Sequence, residues 1–124
     1  MALSLVRLIL TLTTLVAVSV VLSFRRFRVV DTSMQPTLLP GDRILVLTWA
    51  RPRANDVIVF RDPDARRTFT VKRVQALTAD GDLLVRGDNV NVSRDSRHFG
   101  PVPRALVVGR AVYRYLPGAR RGAL

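Results

Sequence analysis

The chain has 124 residues, enough for one small domain. Cysteine is absent and His98 is the single histidine, which excludes disulfides, thiol nucleophiles and thiolate metal sites and makes a Ser-His triad or a metal centre improbable. A formal net charge of +11 raises nucleic acid as a partner, but the arginines are scattered, aromatics are few, and no helix-turn-helix or zinc spacing is present. No nucleic acid, metal or cofactor is therefore expected.

In chain order, residues 8–24 are uncharged and mostly apolar. As a helix they span roughly 26 Å, and Leu3, Leu5 and Val6 extend the run if Arg7 snorkels to the interface. The reading is a retained membrane anchor over residues 1–24. A cleaved signal peptide is the rival, with Ala17-Val18-Ser19 as its cleavage candidate, but the apolar run continues past that site to Phe24. Arg25, Arg26 and Arg28 follow the segment and only Arg7 precedes it, so the positive-inside rule favours a cytoplasmic C-terminal part. A domain this basic beside a bilayer is also drawn to anionic headgroups, which makes the lipid bilayer an expected partner.

Beyond the anchor the pattern changes to short runs with a period of two. Strands are expected at residues 43–49, 56–61, 68–77, 83–86 and 106–115, punctuated by Pro40-Gly41-Asp42, Pro52, Asp62-Pro63-Asp64 and Asp80-Gly81-Asp82. No further helix and no internal repeat is evident. The expected fold is an all-β domain over residues 25–116, with residues 117–124 as a flexible tail.

The basic side chains are nineteen arginines and one lysine, Lys72, while all nine acids are aspartate. Arginine stays protonated in a protein, whereas a desolvated lysine can release its proton and act as a general base. The pleat of its strand puts Lys72 on one face with Thr70 and Val74, and Val71 with Arg73 on the other. Two other segments carry polar groups that a small β domain does not need for folding: Asp31-Thr32-Ser33-Met34-Gln35-Pro36-Thr37-Leu38, and the polar run from Gly87 to Arg97. Taken singly, these are a turn serine, an edge-strand lysine and a solvated loop.

Together they resemble the type I signal peptidases, membrane-bound serine peptidases with a Ser-Lys dyad. Ser33-Met34-Gln35-Pro36-Thr37-Leu38 followed by Pro40-Gly41-Asp42-Arg43 is similar to the nucleophile box. Asn55-Asp56-Val57-Ile58-Val59-Phe60 is similar to a strand in which the family usually carries glycine first. Val71-Lys72-Arg73-Val74 is similar to the general-base box, and Gly87-Asp88-Asn89 with Ser93-Arg94-Asp95-Ser96-Arg97 and Gly100-Pro101-Val102 to the last box.

The resemblance implies a signal-peptidase-like β catalytic core behind one transmembrane helix, in its minimal form, since only a hairpin at Asp80-Gly81 separates Lys72 from Asp88. It implies Ser33 as nucleophile and Lys72 as general base. The lysine pKa must then fall from about 10.4 towards roughly 7–8, a cost on the order of 4 kcal/mol. Ser93 would orient the lysine, Arg73, Asp88, Asp95 and Arg97 would form an ion-pair network holding the loop, and Met34 would line the substrate cleft. Arg73, if near enough, would also repel the lysine ammonium.

The implied substrates are exported preproteins with small residues at the first and third positions before the cut, processed at a plasma membrane by an extracytoplasmic domain. Trp49 is expected to rest the core on the bilayer. The pattern departs from the family at Asp31, where many members place a serine or threonine that donates to the oxyanion; an ionised aspartate cannot donate. Three rivals are weighed beside this reading. They are a LexA-type self-cleaving repressor, a protease that removes one pro-segment from one client, as in nickel superoxide dismutase maturation, and a non-enzymatic, membrane-tethered basic β module.

Overall fold

The computed structural model describes residues 1–124. Helix α1 (Ala2–Leu22) is exposed along its whole length and carries one charge, Arg7. Its 21 residues span about 31 Å, matching a bilayer core of roughly 30 Å.

The remainder is an antiparallel sheet of seven strands. They are β1 (Phe24–Arg28), β2 (Arg43–Leu47), β3 (Val57–Asp62), β4 (Ala65–Leu77), β5 (Leu83–Arg86), β6 (Val107–Leu116) and β7 (Gly122–Ala123). The order is β1-β2-β6-β3-β4-β5, with β7 pairing β6. Although β1 and β4 stand well apart in this order, Phe27 and Phe69 meet edge to face at 5.2 Å, so the sheet curls over itself.

The five expected strands are present. Strand β1 was not expected, because Phe24-Arg25-Arg26-Phe27-Arg28 reads as a juxtamembrane basic cluster. It is ordered by pairing with β2, Phe24 opposite Leu47 and Arg28 opposite Arg43. Residues 117–124, read as a flexible tail, are docked. Arg120 pairs with the buried Asp42 at 2.6 Å, β7 adds to β6, and Leu124 packs against the core. A one-turn helix α2 (Ser96–Phe99), also unexpected, is capped by Asp95.

Strand β3 explains the core. Val57 and Val59 enter one apolar cluster with Val29, Met34, Leu38, Ile44, Val46 and Ala111. Ile58 and Phe60 enter a second with Val74, Leu83, Val85, Val102 and Leu106. A strand buried on both faces is continuously apolar, which is how this one is written. Asn55, just before it, has φ +74°, a left-handed conformation that asparagine tolerates and that explains the glycine usual there in the family pattern.

Candidate active site

Strand β4 carries Lys72 opposite Ile58, on the face it shares with Val74 and the second apolar cluster. The side chain is 2 % exposed. The loop after β1 carries Ser33, and Lys72 Nζ donates to Ser33 Oγ at 2.6 Å. Residues 39 apart in sequence are thus joined in a buried contact. No carboxylate makes an ion pair with Nζ, because arginines hold the buried ones: Arg73 holds Asp88, Arg94 holds Asp62 and Arg97 holds Asp95. Burial therefore pushes the Lys72 pKa down, against the upward pull of the more distant Asp31, Asp95 and Asp62, while Arg94 adds to the downward shift. A lysine lowered in this way suits a general base.

The Ser33 loop is held from behind. Asn89 N–H donates to the Ser33 carbonyl at 2.9 Å and Asn89 Nδ2 to the Thr32 carbonyl at 3.1 Å. Gly87 lies so close that a Cβ there would sit 2.6 Å from the Ser33 carbonyl oxygen and overlap Ser93 Oγ. The close approach requires glycine. Arg73 Nε and Nη2 grip Asp88 in a bidentate pair at 2.8 and 2.7 Å, and Thr37 donates to the same carboxylate. Charge-assisted pairs of this form lower the Asp88 pKa against the rise that burial alone would cause.

Of the residues expected from sequence, Ser33 and Lys72 meet directly. Arg73 with Asp88 and Arg97 with Asp95 form two separate ion pairs that together hold the loop. Arg73 is committed to Asp88 and is not among the charges that shift Lys72; that part falls to Arg94. Ser93 is buried, but its hydroxyl donates to Asp95 Oδ2 at 2.8 Å, and no hydrogen bond joins it to Lys72. Met34 belongs to the first apolar cluster and lines a small cavity of about 30 Å³ with Val30, Asp31, Phe69, Thr70 and Val71.

Asp62 and Arg94 were not singled out from sequence. Both line the cleft that contains Ser33 and Lys72; Asp62 reaches it at the end of β3 and Arg94 from the loop after β5, and their ion pair joins the two. Asp31, noted only as a departure, makes two hydrogen bonds through Oδ1, accepting from the Ser33 backbone N–H at 2.9 Å and from Ser33 Oγ at 2.7 Å.

A serine hydroxyl on an unpaired buried lysine, behind a membrane-length helix, agrees with the wider comparison. The family described as signal peptidase, peptidase S26, matches residues 2–81 and 78–116. The chain belongs to that family. It is a serine endopeptidase of the signal peptidase type, associated with a membrane. It is 32% identical over 111 residues to mitochondrial ATP-independent inner membrane protease subunit 1b of Arabidopsis thaliana, covering 68% of this chain and 66% of that protein. It is also 32% identical over 123 residues to mitochondrial inner membrane protease subunit 2 of Saccharomyces cerevisiae, covering 77% and 70%. With the probable signal peptidase I-1 of Synechocystis it shares 29% over 140 residues, covering 74% and 71%. The chain spans about two thirds of the length of these relatives. Membership disposes of the self-cleaving repressor and the non-enzymatic module as readings.

Proposed function

We propose that this peptidase removes N-terminal signal peptides from exported preproteins, with Ser33 as nucleophile and Lys72 as general base. One observation carries the assignment: Lys72 Nζ lies 2.6 Å from Ser33 Oγ, buried and without an ionic partner. The neutral amine takes the Oγ proton as Oγ attacks the scissile carbonyl carbon. The Ser33 backbone N–H, which donates to Asp31 in this structure, is the donor assigned to the oxyanion once that bond is released. Collapse breaks the C–N bond, and the lysine returns its proton to the leaving amine. The lysine then deprotonates a water that attacks the acyl ester, releasing the signal peptide and restoring Ser33.

The cleft that holds Ser33 and Lys72 has about 280 Å³, and a smaller cavity of about 30 Å³ adjoins it, with Val30, Asp31, Phe69 and Thr70 lining both. The smaller one supports a preference for small side chains near the cut. It has room for little more than a water-sized group. Ser93, Arg73, Asp88, Asp95 and Arg97 act here as scaffold, fixing the loop that backs Ser33.

The chain is read as a single-pass protein of the plasma membrane with its catalytic domain on the extracytoplasmic side, where a translocated preprotein presents its cleavage site. Arg25, Arg26 and Arg28 follow α1 directly and pull the other way under the positive-inside rule. The folded unit of about a hundred residues behind them offsets that pull, since whole domains translocate largely regardless of their own charge. Trp49, 70 % exposed, follows Thr48, whose N–H donates to the Ser23 carbonyl at the end of α1, and this supports its resting on the lipid surface.

The test is cleavage of a signal-peptide-bearing reporter by the full chain in liposomes. Ser33→Ala and Lys72→Arg each abolish it while the fold survives. Full activity in Lys72→Arg would sink the assignment, because a guanidinium cannot act as base. Protease protection of the domain in intact cells tests the orientation, and a protected cytoplasmic domain would rule out preprotein processing.

A further inference from the structure

Asp31 Oδ1 takes both hydrogens that Ser33 offers, its backbone N–H and its hydroxyl. With the hydroxyl donating to Asp31, the bond between Lys72 and Ser33 Oγ has Nζ as donor. The chain of hydrogen bonds thus runs from amine to hydroxyl to carboxylate. Attack on a carbonyl needs the opposite direction, with Oγ giving its proton to the lysine. It also needs the Ser33 N–H free for the oxyanion, and a carboxylate now fills that place with a negative charge.

The carboxylate can leave. Asp31 is exposed, and Ser33 supplies the only side-chain hydrogen bonds it receives. No arginine pairs with it, unlike Asp62, Asp88 and Asp95. Rotation towards water therefore breaks no other hydrogen bond and gives up only the longer-range attraction of Lys72. We propose that Asp31 is a built-in stopper of the active site, whose carboxylate occupies the oxyanion donor and the nucleophile in the resting enzyme and is displaced by the scissile carbonyl of the substrate. The proposal rests on the reading of Ser33 and Lys72 as nucleophile and base.

Two consequences follow from removing the charge. The substrate no longer competes with a resident anion, and Lys72 loses one of the charges that keep its ammonium form. The charged groups acting on Lys72 are Asp31 from the loop after β1, Asp62 from β3, and Arg94 and Asp95 from the loop after β5. Removing a negative one lowers the lysine pKa, so more of the base is free at a given pH.

The test measures kcat/KM against pH for an internally quenched peptide with an Ala-x-Ala cleavage site. It uses the detergent-solubilised full chain, its Asp31→Asn and Asp31→Ser variants, and Ser33→Ala. Asparagine keeps an acceptor for the Ser33 N–H without the charge, and serine also supplies a donor to the oxyanion. Asp31→Ser is expected to raise kcat/KM near neutral pH roughly tenfold, with a smaller gain for Asp31→Asn, since an ionic competitor is removed from the oxyanion donor. In both, the acid limb moves down by about one pH unit. Unchanged rates and limbs, or a loss of activity in a folded variant, overturn the stopper. An active Ser33→Ala overturns the nucleophile reading itself, whereas an inactive Ser33→Ala beside unaltered Asp31 variants overturns the stopper alone.

Discussion

Two serines in this molecule each give their hydroxyl proton to an aspartate two residues away, and the two pairs do opposite work. Ser93 Oγ donates to Asp95 at 2.8 Å, and Ser33 Oγ donates to Asp31 at 2.7 Å. Asp95 is 0 % exposed and also accepts from Gly87 N–H and from Arg97, whose Nε lies 2.9 Å away. These donors overcome the upward push of burial and hold its pKa far below the ordinary carboxylate range. Asp31 receives hydrogen bonds from Ser33 alone and faces water. Its pKa is lowered too, with burial opposing, by the Ser33 hydrogen bonds and the charge of Lys72. One carboxylate is fixed by a crossed set of donors and serves as scaffold. The other can leave at the cost of one residue's hydrogen bonds.

The sharpest way to break this contrast is to delete each hydroxyl. Ser33→Ala should cut kcat/KM by about 10⁴-fold or more, as loss of a nucleophile does, with little change in melting temperature. Ser93→Ala should retain measurable cleavage and cost about 1 kcal/mol of stability, read from urea unfolding. Equal losses of activity would mean that Ser93 acts on the reacting groups.

The carboxylates come next. Asp95→Ala strands the buried Gly87 N–H and Ser93 hydroxyl beside an unpaired Arg97, and should destabilise the fold by about 3 kcal/mol. Asp31→Ala should cost less, about 1 kcal/mol, because it removes part-buried hydrogen bonds from Ser33 alone and leaves no arginine unpaired. The contribution of Asp95 also has a pH signature. Its folded pKa lies below its unfolded value of about 3.9, so its stabilisation is complete above that value and fades as pH falls through the folded pKa. Urea midpoints of the parent and Asp95→Asn should therefore lie closer together at pH 3 than at pH 7 without meeting.

The contrast was half visible in the sequence. The solitary lysine marked the proposed base, because lysine rather than arginine can supply a neutral amine, and the nucleophile box marked Ser33 as the proposed nucleophile; the structure brings the two side chains together. The five main strands were legible as short apolar or alternating runs between turn residues, although β3 is continuously apolar because both its faces are buried. Strand β1 was not, since three arginines in Phe24-Arg25-Arg26-Phe27-Arg28 hide a strand stabilised by its pairing with β2. The docking of residues 117–124 depends on Arg120 reaching Asp42, 78 residues earlier, and no local pattern records that. Ser93 was assigned to Lys72 by resemblance, and its nearer partner Asp95 was two residues away. Asp31 was flagged because a carboxylate cannot donate, yet which hydrogens it accepts depends on the turn geometry of residues 31–33.

The smallest expected effect concerns Arg94, and its sign opposes that of Asp31. Arg94 holds Asp62 at 2.6 Å, also pairs with Asp64, and adds to the lowering of the Lys72 pKa. Arg94→Gln removes a positive charge from the cleft and frees the field of Asp62, and both changes favour the ammonium form of Lys72. The acid limb of kcat/KM should therefore move to higher pH, where Asp31→Asn moves it to lower pH. Arg94 is about half exposed, so solvent screening should keep its shift to a few tenths of a pH unit. Raising the salt concentration should shrink the Arg94 shift more than the Asp31 shift, because Asp31 acts through a hydrogen bond to the nucleophile as well as through its charge. Limbs moving in the same direction in both variants would show that local structure, rather than the field at Lys72, sets the pH profile.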